Sequence, residues 1–217
     1  MHQDYILRMV QQFSGFLVRV MRLRKEGKTD EALVLLAEGY GPLVGLPESL
    51  VHALSDDDLI TLLRSQGRLD PGRCLGLAEL LREEAQVYDD VERFDESYPR
   101  YLKALRLYLE LIVEDDELAN ERIPGMTDVI AALNGLELPI ATADRLIDFF
   151  EQTGQFDDAE NVVLQRLENS PDDDAFVSAA RAFYERLTTK SDAELIVGGL
   201  TRDEVREALQ RFHMHGE

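Results

Sequence analysis

Apolar positions in this chain recur every three or four residues, break at short polar turns and resume, over nearly the whole length. Over residues 3–26, Phe13, Phe16, Leu17, Val20 and Met21 form a single helical stripe. Gly27 ends it, and Asp30-Glu31-Ala32 opens a second helix to about Gly39. The Gly- and Pro-rich stretch from Gly39 to Pro47 predicts a loop. Pro47 suits the first turn of a short helix to about Leu54, and Ser55 with Asp58 resembles a capping box on another that ends near Ser65. Asp70-Pro71 is an N-cap carboxylate followed by an N1 proline, starting a helix to about Asp90. Phe94 to Val113 presents Tyr98, Tyr101, Leu102, Leu105, Tyr108, Leu109 and Ile112 on one face. Pro99 there argues that the regular helix begins nearer Tyr98. Further helices are predicted over about 126–136, 140–152, 156–169, 172–188, 191–197 and 201–213, with capping boxes at Ser191/Glu194 and Thr201/Glu204. Nothing alternates with period two for long enough to predict a strand.

Two stretches share a pattern. Leu81-Ala85-Tyr88 precedes Phe94-Ser97-Tyr101-Ala104, and Leu146-Ile147-Phe150 precedes Gly154-Phe156-Ala159-Val163-Pro171. A hairpin of this kind cannot bury its apolar stripe alone, so copies must stack. The expected fold is all-α: an irregular stack of antiparallel helical hairpins in a single domain spanning 1–217. Ile123-Pro-Gly125 marks a sub-boundary between N-terminal helices (1–122) and C-terminal helices (126–217).

These two copies resemble the tetratricopeptide repeat. That motif expects a small residue then an aromatic on its first helix, an aromatic–alanine series on the second, and a closing proline. Ala85, Tyr88, Phe94, Tyr101 and Ala104 match in the first copy, where Ser97 replaces one alanine; Phe150, Gly154, Phe156, Ala159 and Pro171 match in the second. Ile147 there replaces the small residue and Arg166 the last alanine, and a weaker copy, Leu23-Gly27-Ala32-Leu36, begins the chain. Phe94 and Phe156 lie 62 residues apart, not a multiple of the ~34-residue repeat, so the array is interrupted. The resemblance implies a TPR-like α-solenoid. The chain as a whole, including the closing Gly198-to-Val205 stretch, resembles a bacterial family with tetratricopeptide-like helices, a resemblance that implies no activity.

Charge changes the picture more than composition does. The net charge of −20 disfavours nucleic acid as a partner. Residues 1–28 run the other way: six basic residues against Asp4 and Glu26 give +4. A basic first helix against an acidic body reads either as a docking device, including a homodimer contact, or as a solvated face. No window approaches the ~18 consecutive apolar residues of a membrane span. Asp4 and the glutamines stand where a signal peptide would be basic and then apolar. The expectation is a cytoplasmic protein with no membrane partner, and the lone Cys74 excludes an internal disulfide.

No motif supports an enzyme. Gly27-Lys28-Thr29 mimics the end of a P-loop but lacks its first glycine and a preceding strand. His213 and His215 point apart if helical, His2 and His52 are isolated in sequence, and the expectation is no metal and no cofactor. The runs Asp56–Asp58, Glu114–Glu117 and Asp172–Asp174 suit helix ends. A neutral last helix, Thr201–Phe212, makes a poor DNA reader and suits a terminal cap.

If the resemblance holds, Glu79, Arg82, Gln86, Asp89 and Asp90 in one copy, and Asp144, Asp148, Glu151 and Gln152 in the other, line a concave surface. Its partner-binding carboxylates would be Asp89, Asp90, Asp144, Asp148 and Glu151, taking a basic or amphipathic protein or peptide segment; the alternative is an ordinary solvated face. The leading expectation is a non-catalytic interaction scaffold, a homodimer among its forms. A regulatory sensor binding a peptide or small ligand comes second, and a hydrolase with a scattered carboxylate site third.

Overall fold

A computed structural model describes residues 2–114, 123–170 and 172–214, with side chains between 13 and 212 in those spans. Pro171, Asp115–Glu117 and His215, and the side chains of His2, Asp4 and His213, lie outside the described residues. The described chain is all-helical apart from one short strand pair: α1 (His2–Lys25), α2 (Thr29–Val44), α3 (Glu48–Ala53), α4 (Asp56–Leu62), β1 (Arg64–Ser65), β2 (Arg68–Leu69), α5 (Pro71–Asp89), α6 (Phe94–Glu114), α7 (Pro124–Leu133), α8 (Ile140–Thr153), α9 (Phe156–Asn169), α10 (Asp174–Leu187), α11 (Asp192–Val197) and α12 (Arg202–Met214). No helix among the described residues is long and apolar enough to cross a membrane.

The chain divides into two compact units, 1–134 and 135–217. Ile123-Pro-Gly125, expected as the sub-boundary, instead opens α7 with proline at its first turn, and α7 packs on α6 within the first unit.

The first unit is built around α5, which touches α1, α2, α6 and α7. Leu77, Ala78, Leu80, Leu81 and Ala85 have no exposure. Contacts run from Cys74 to Leu107, from Glu84 to Arg100 and from Asp89 to Tyr101, so α5 and α6 are antiparallel. Helix α1 docks through two phenylalanines that lie on bare backbone. A Cβ on Gly76 of α5 would stand 2.1 Å from the Phe13 ring, and one on Gly39 of α2 would stand 2.5 Å from the Phe16 ring. Of the expected α1 stripe, Phe13 and Val20 are buried and Phe16 and Leu17 half-buried, whereas Met21 is exposed.

Three local readings need correction. Helix α2 continues through Gly39, Gly41 and Pro42 to Val44, where a loop was expected. Burial of Tyr40 and Val44 holds the extra turn, Gly39 is there to admit Phe16, and Gly45, at φ 74°, ends it. Helix α6 begins at Phe94 and carries Pro99 within it, at the cost of one helical hydrogen bond. Between α4 and α5, Arg64–Ser65 pairs antiparallel with Arg68–Leu69. Gln66 and Gly67, both at positive φ, make the type I′ turn that suits a two-residue hairpin loop; two-residue strands are too short to show a period.

In the second unit α8 and α9 form a hairpin joined at Gly154, φ 74°. Leu146, Ile147, Phe150, Phe156, Ala159 and Val163 are buried there. Helices α10 and α12 pack together, with the Tyr184 and Phe212 ring centroids 5.7 Å apart. Ser191/Glu194 is a complete capping box, and Thr201 and Glu204 exchange the same pair of bonds. The cap of α10 is Asp173, whose side chain accepts from the Phe176 N–H.

Candidate functional site

The five carboxylates expected to face a partner fall into both units, and four are engaged within their own unit. Asp89 accepts from the Tyr101 hydroxyl at 2.9 Å, and Asp90 takes Arg24 from α1 at 2.8 Å. Asp144 pairs with Arg166, and Glu151 with Arg186 at 2.6 Å. Asp148 is exposed and has no ion pair among the described residues. It shares a depression of about 450 Å³ with Glu151, Gln152, Arg186 and Lys190. Partial burial, then repulsion from Glu151, raises the Asp148 pKa above the ordinary aspartate value.

The other expected lining residues of the first copy are also held internally. Glu79 accepts from the buried Tyr108 hydroxyl at 2.7 Å, and Arg82 bridges Glu79, Glu83 and Asp128. Gln86 accepts from Arg24 at 2.6 Å. Arg24 thus docks α1 onto α5, through Glu83, Gln86 and Asp90, whereas Arg19, Arg22 and Lys25 stay exposed.

Two of them, Arg19 and Arg22, line a groove of about 600 Å³ between α1 and α2. Arg19 and Arg22 stand on the α1 side with Glu26, which pairs with Arg22 and Lys28 at 2.9 Å, and Asp30, Glu31 and Glu38 on the α2 side. Leu23, Val34 and Leu35 form its apolar floor, with Val34 59% exposed. Val18, 62% exposed, stands one turn before Arg22 on the same α1 face. Val18 and Val34 are thus exposed apolar residues beside charges of both signs.

A second cluster is not legible as a whole in the sequence, where His52 stands apart from the other histidines. Glu48 and His52 are four residues apart on α3, which places both on one face. That face meets Glu84 of α5, 2% exposed. His52 Nε2 lies 3.2 Å from Glu84 Oε2 and 3.9 Å from Glu48 Oε1. The nitrogen stands at ion-pair distance from Glu84, yet this buried atom makes no well-formed hydrogen bond among the described residues. Glu84 itself is fixed from behind: the Tyr40 hydroxyl donates to Oε2 at 2.5 Å and Arg100 Nε to Oε1 at 2.7 Å. Burial alone would raise the Glu84 pKa, but the adjacent His52 imidazole, Arg100 and the Tyr40 hydroxyl outweigh it and hold the carboxyl below its ordinary value. Burial, then the Glu84 charge, pushes the Tyr40 phenol well above its usual range. The readable signal was the Glu-x-x-x-His spacing on a helix already expected after Pro47; Glu84, far along the chain, gave none.

Cys74, fully buried, donates its thiol to the Leu107 carbonyl at 3.4 Å. Burial and the nearby Glu110 charge push its pKa up, the opposite of a reactive thiol.

No curated protein and no solved structure matches the chain. The model of the family of unknown function DUF6483 matches residues 1–215, and the chain belongs to that family.

Proposed function

We propose that this chain is a non-catalytic protein–protein interaction module of tetratricopeptide-like helical hairpins, and that its docking surface is the groove between α1 and α2, occupied by a second copy of the chain. The carrying observation is that the groove holds its own complement. On the α1 side Arg19 and Arg22, the latter paired with Glu26, face Asp30, Glu31 and Glu38 across an apolar floor with Val34 exposed. In a two-fold pairing the same patch is used twice, so the α1 wall of one protomer meets the α2 wall of the other. The antiparallel α5–α6 and α8–α9 pairs support the hairpin reading, although Phe94 is 62% exposed where its counterpart Phe156 is buried. The lack of a nucleophile motif in the sequence supports a binding role over a hydrolase.

Light scattering at low and high salt tests the dimer together with reversal of the walls. Arg19→Glu with Arg22→Glu should give a monomer, and so should Glu31→Arg with Glu38→Arg. The four-fold variant, with both walls reversed, should dimerise again. A wild-type monomer at every salt and concentration, or a dimer indifferent to these changes, would sink the proposal.

A second reading rests on Asp148. It is exposed in a depression and has no ion pair among the described residues, so it offers a carboxylate to a cationic side chain from a partner. Binding of a Lys-rich peptide to the wild type that persists in Asp148→Asn would remove this reading.

A further inference from the structure

The Glu48–His52–Glu84 cluster has no part in the groove, and its chemistry points elsewhere. We propose that it is a binding site for a divalent transition-metal ion of the zinc type, with Glu48, His52 and Glu84 as ligands.

The ligand atoms of the three residues all lie within 4.8 Å of one another. Ligands about 2.0–2.2 Å from a zinc ion stand about 3–4 Å from each other, so an ion fits between them with a small movement of Glu48. Glu48 is free to make that movement, since its side chain is 40% exposed. The donor set is one imidazole nitrogen and two carboxylate oxygens. That suits zinc, cobalt or nickel rather than calcium, which needs 6–8 oxygens. Two neighbouring features make this more than a chance meeting of charges. His52 Nε2 is buried, sits between two carboxylates and makes no well-formed hydrogen bond among the described residues. Such an atom needs a partner, and a metal ion lying between the three groups supplies one. Glu84 is already oriented by Tyr40 and Arg100, the outer support that ligating carboxylates characteristically have. Each of its oxygens keeps a second lone pair, so these bonds leave Oε2 able to coordinate.

His52 and Glu48 are partly open to solvent, so an ion can enter, and water completes the coordination from that side. The three ligands come from α3 and α5, so the bound ion would clamp the short α3 to the central helix of the first unit.

The alternative is that His52 is simply a side-chain partner of Glu84. Titration of the metal-stripped full chain with Zn²⁺ alone, read by calorimetry, separates the two, with Co²⁺ absorbance reporting nitrogen and oxygen coordination. The wild type should bind one ion and melt at a higher temperature with it. His52→Gln should weaken binding at least a hundredfold and Glu48→Gln at least tenfold. Both leave the buried Glu84 in place; Glu48→Gln should keep the apo melting point near that of the wild type, and His52→Gln, which removes a support of the ionised Glu84, should lower it while the chain stays folded. Changing His213 and His215 together to alanine should leave the site intact. No Zn²⁺ or Co²⁺ binding by the wild type would overturn the proposal. So would binding that survives His52→Gln but disappears with the C-terminal histidines.

Discussion

Replacing Gly76 with alanine should destabilise the protein, although alanine is the better helix former. The site is inside α5, where Gly→Ala alone would stabilise by up to about 1 kcal/mol. The new Cβ, however, would stand 2.1 Å from Phe13 Cζ and 2.6 Å from Cε2, inside contact distance. Phe13 is 5% exposed, so its ring has little room to retreat, and overpacking of this kind costs about 1–3 kcal/mol. The expected net loss is about 1–2 kcal/mol. Phe13→Ala should itself cost about 3–5 kcal/mol. In that background the clash is gone, so Gly76→Ala should become neutral or stabilising by up to about 1 kcal/mol. The two substitutions should therefore couple by about 2 kcal/mol. Urea unfolding followed by far-UV circular dichroism gives the four stabilities, and amide exchange in α1 shows whether the loss is local to its docking. If Gly76→Ala costs the same with and without the Phe13 ring, the ring-on-glycine account of α1 is wrong.

Cys74 should stay unreacted with a disulfide reagent in the native chain at pH 8 and react fully in urea, because it is buried with a raised pKa; fast native labelling would contradict the packing of α5 on α6. Glu84→Gln should change the acid response. The Glu84 pKa is lower in the folded state than in the unfolded one, so its stabilising contribution is complete above the unfolded value and is lost as pH falls through the folded value. The wild type should therefore lose part of its neutral-pH advantage over Glu84→Gln as pH drops below about 4.3, which melting curves at stepped pH would show. Asp148 has the opposite sign: with a raised folded pKa it disfavours folding at neutral pH, so Asp148→Asn should raise the melting point slightly, by the equivalent of under about 0.5 kcal/mol; a marked drop would mean that Asp148 makes a stabilising contact.

Most helices were legible because their signals are local. Asp70-Pro71, Ser191/Glu194 and Thr201/Glu204 each carry a complete start signal within four residues, and each opens a helix where it was expected. The extension of α2 was not legible, because Gly39, Gly41 and Pro42 read as breakers unless Phe16 is known to cover Gly39. For the same reason the acidic residues could be placed on faces but not assigned partners. Arg24, Arg166 and Arg186, which meet Asp90, Asp144 and Glu151, come from other helices. The repeat pattern marked Phe94 and Phe156 alike, yet one is exposed and the other buried, since burial depends on which neighbour covers the position. Glu48 and His52 could have been paired by spacing; Glu84 could not.

The seating of α1 on Gly39 and Gly76 has a consequence for how the chain is made. The ribosome releases α1 before α2 and α5, yet the two places where its phenylalanines rest, Gly39 and Gly76, belong to those later helices. Until α5 has emerged, Phe13 lacks its seat on Gly76, so α1, made before α2 and α5, cannot settle fully until both are out. A nascent chain interrupted before α5 would present an apolar, basic helix without its seat, a natural substrate for chaperones during synthesis.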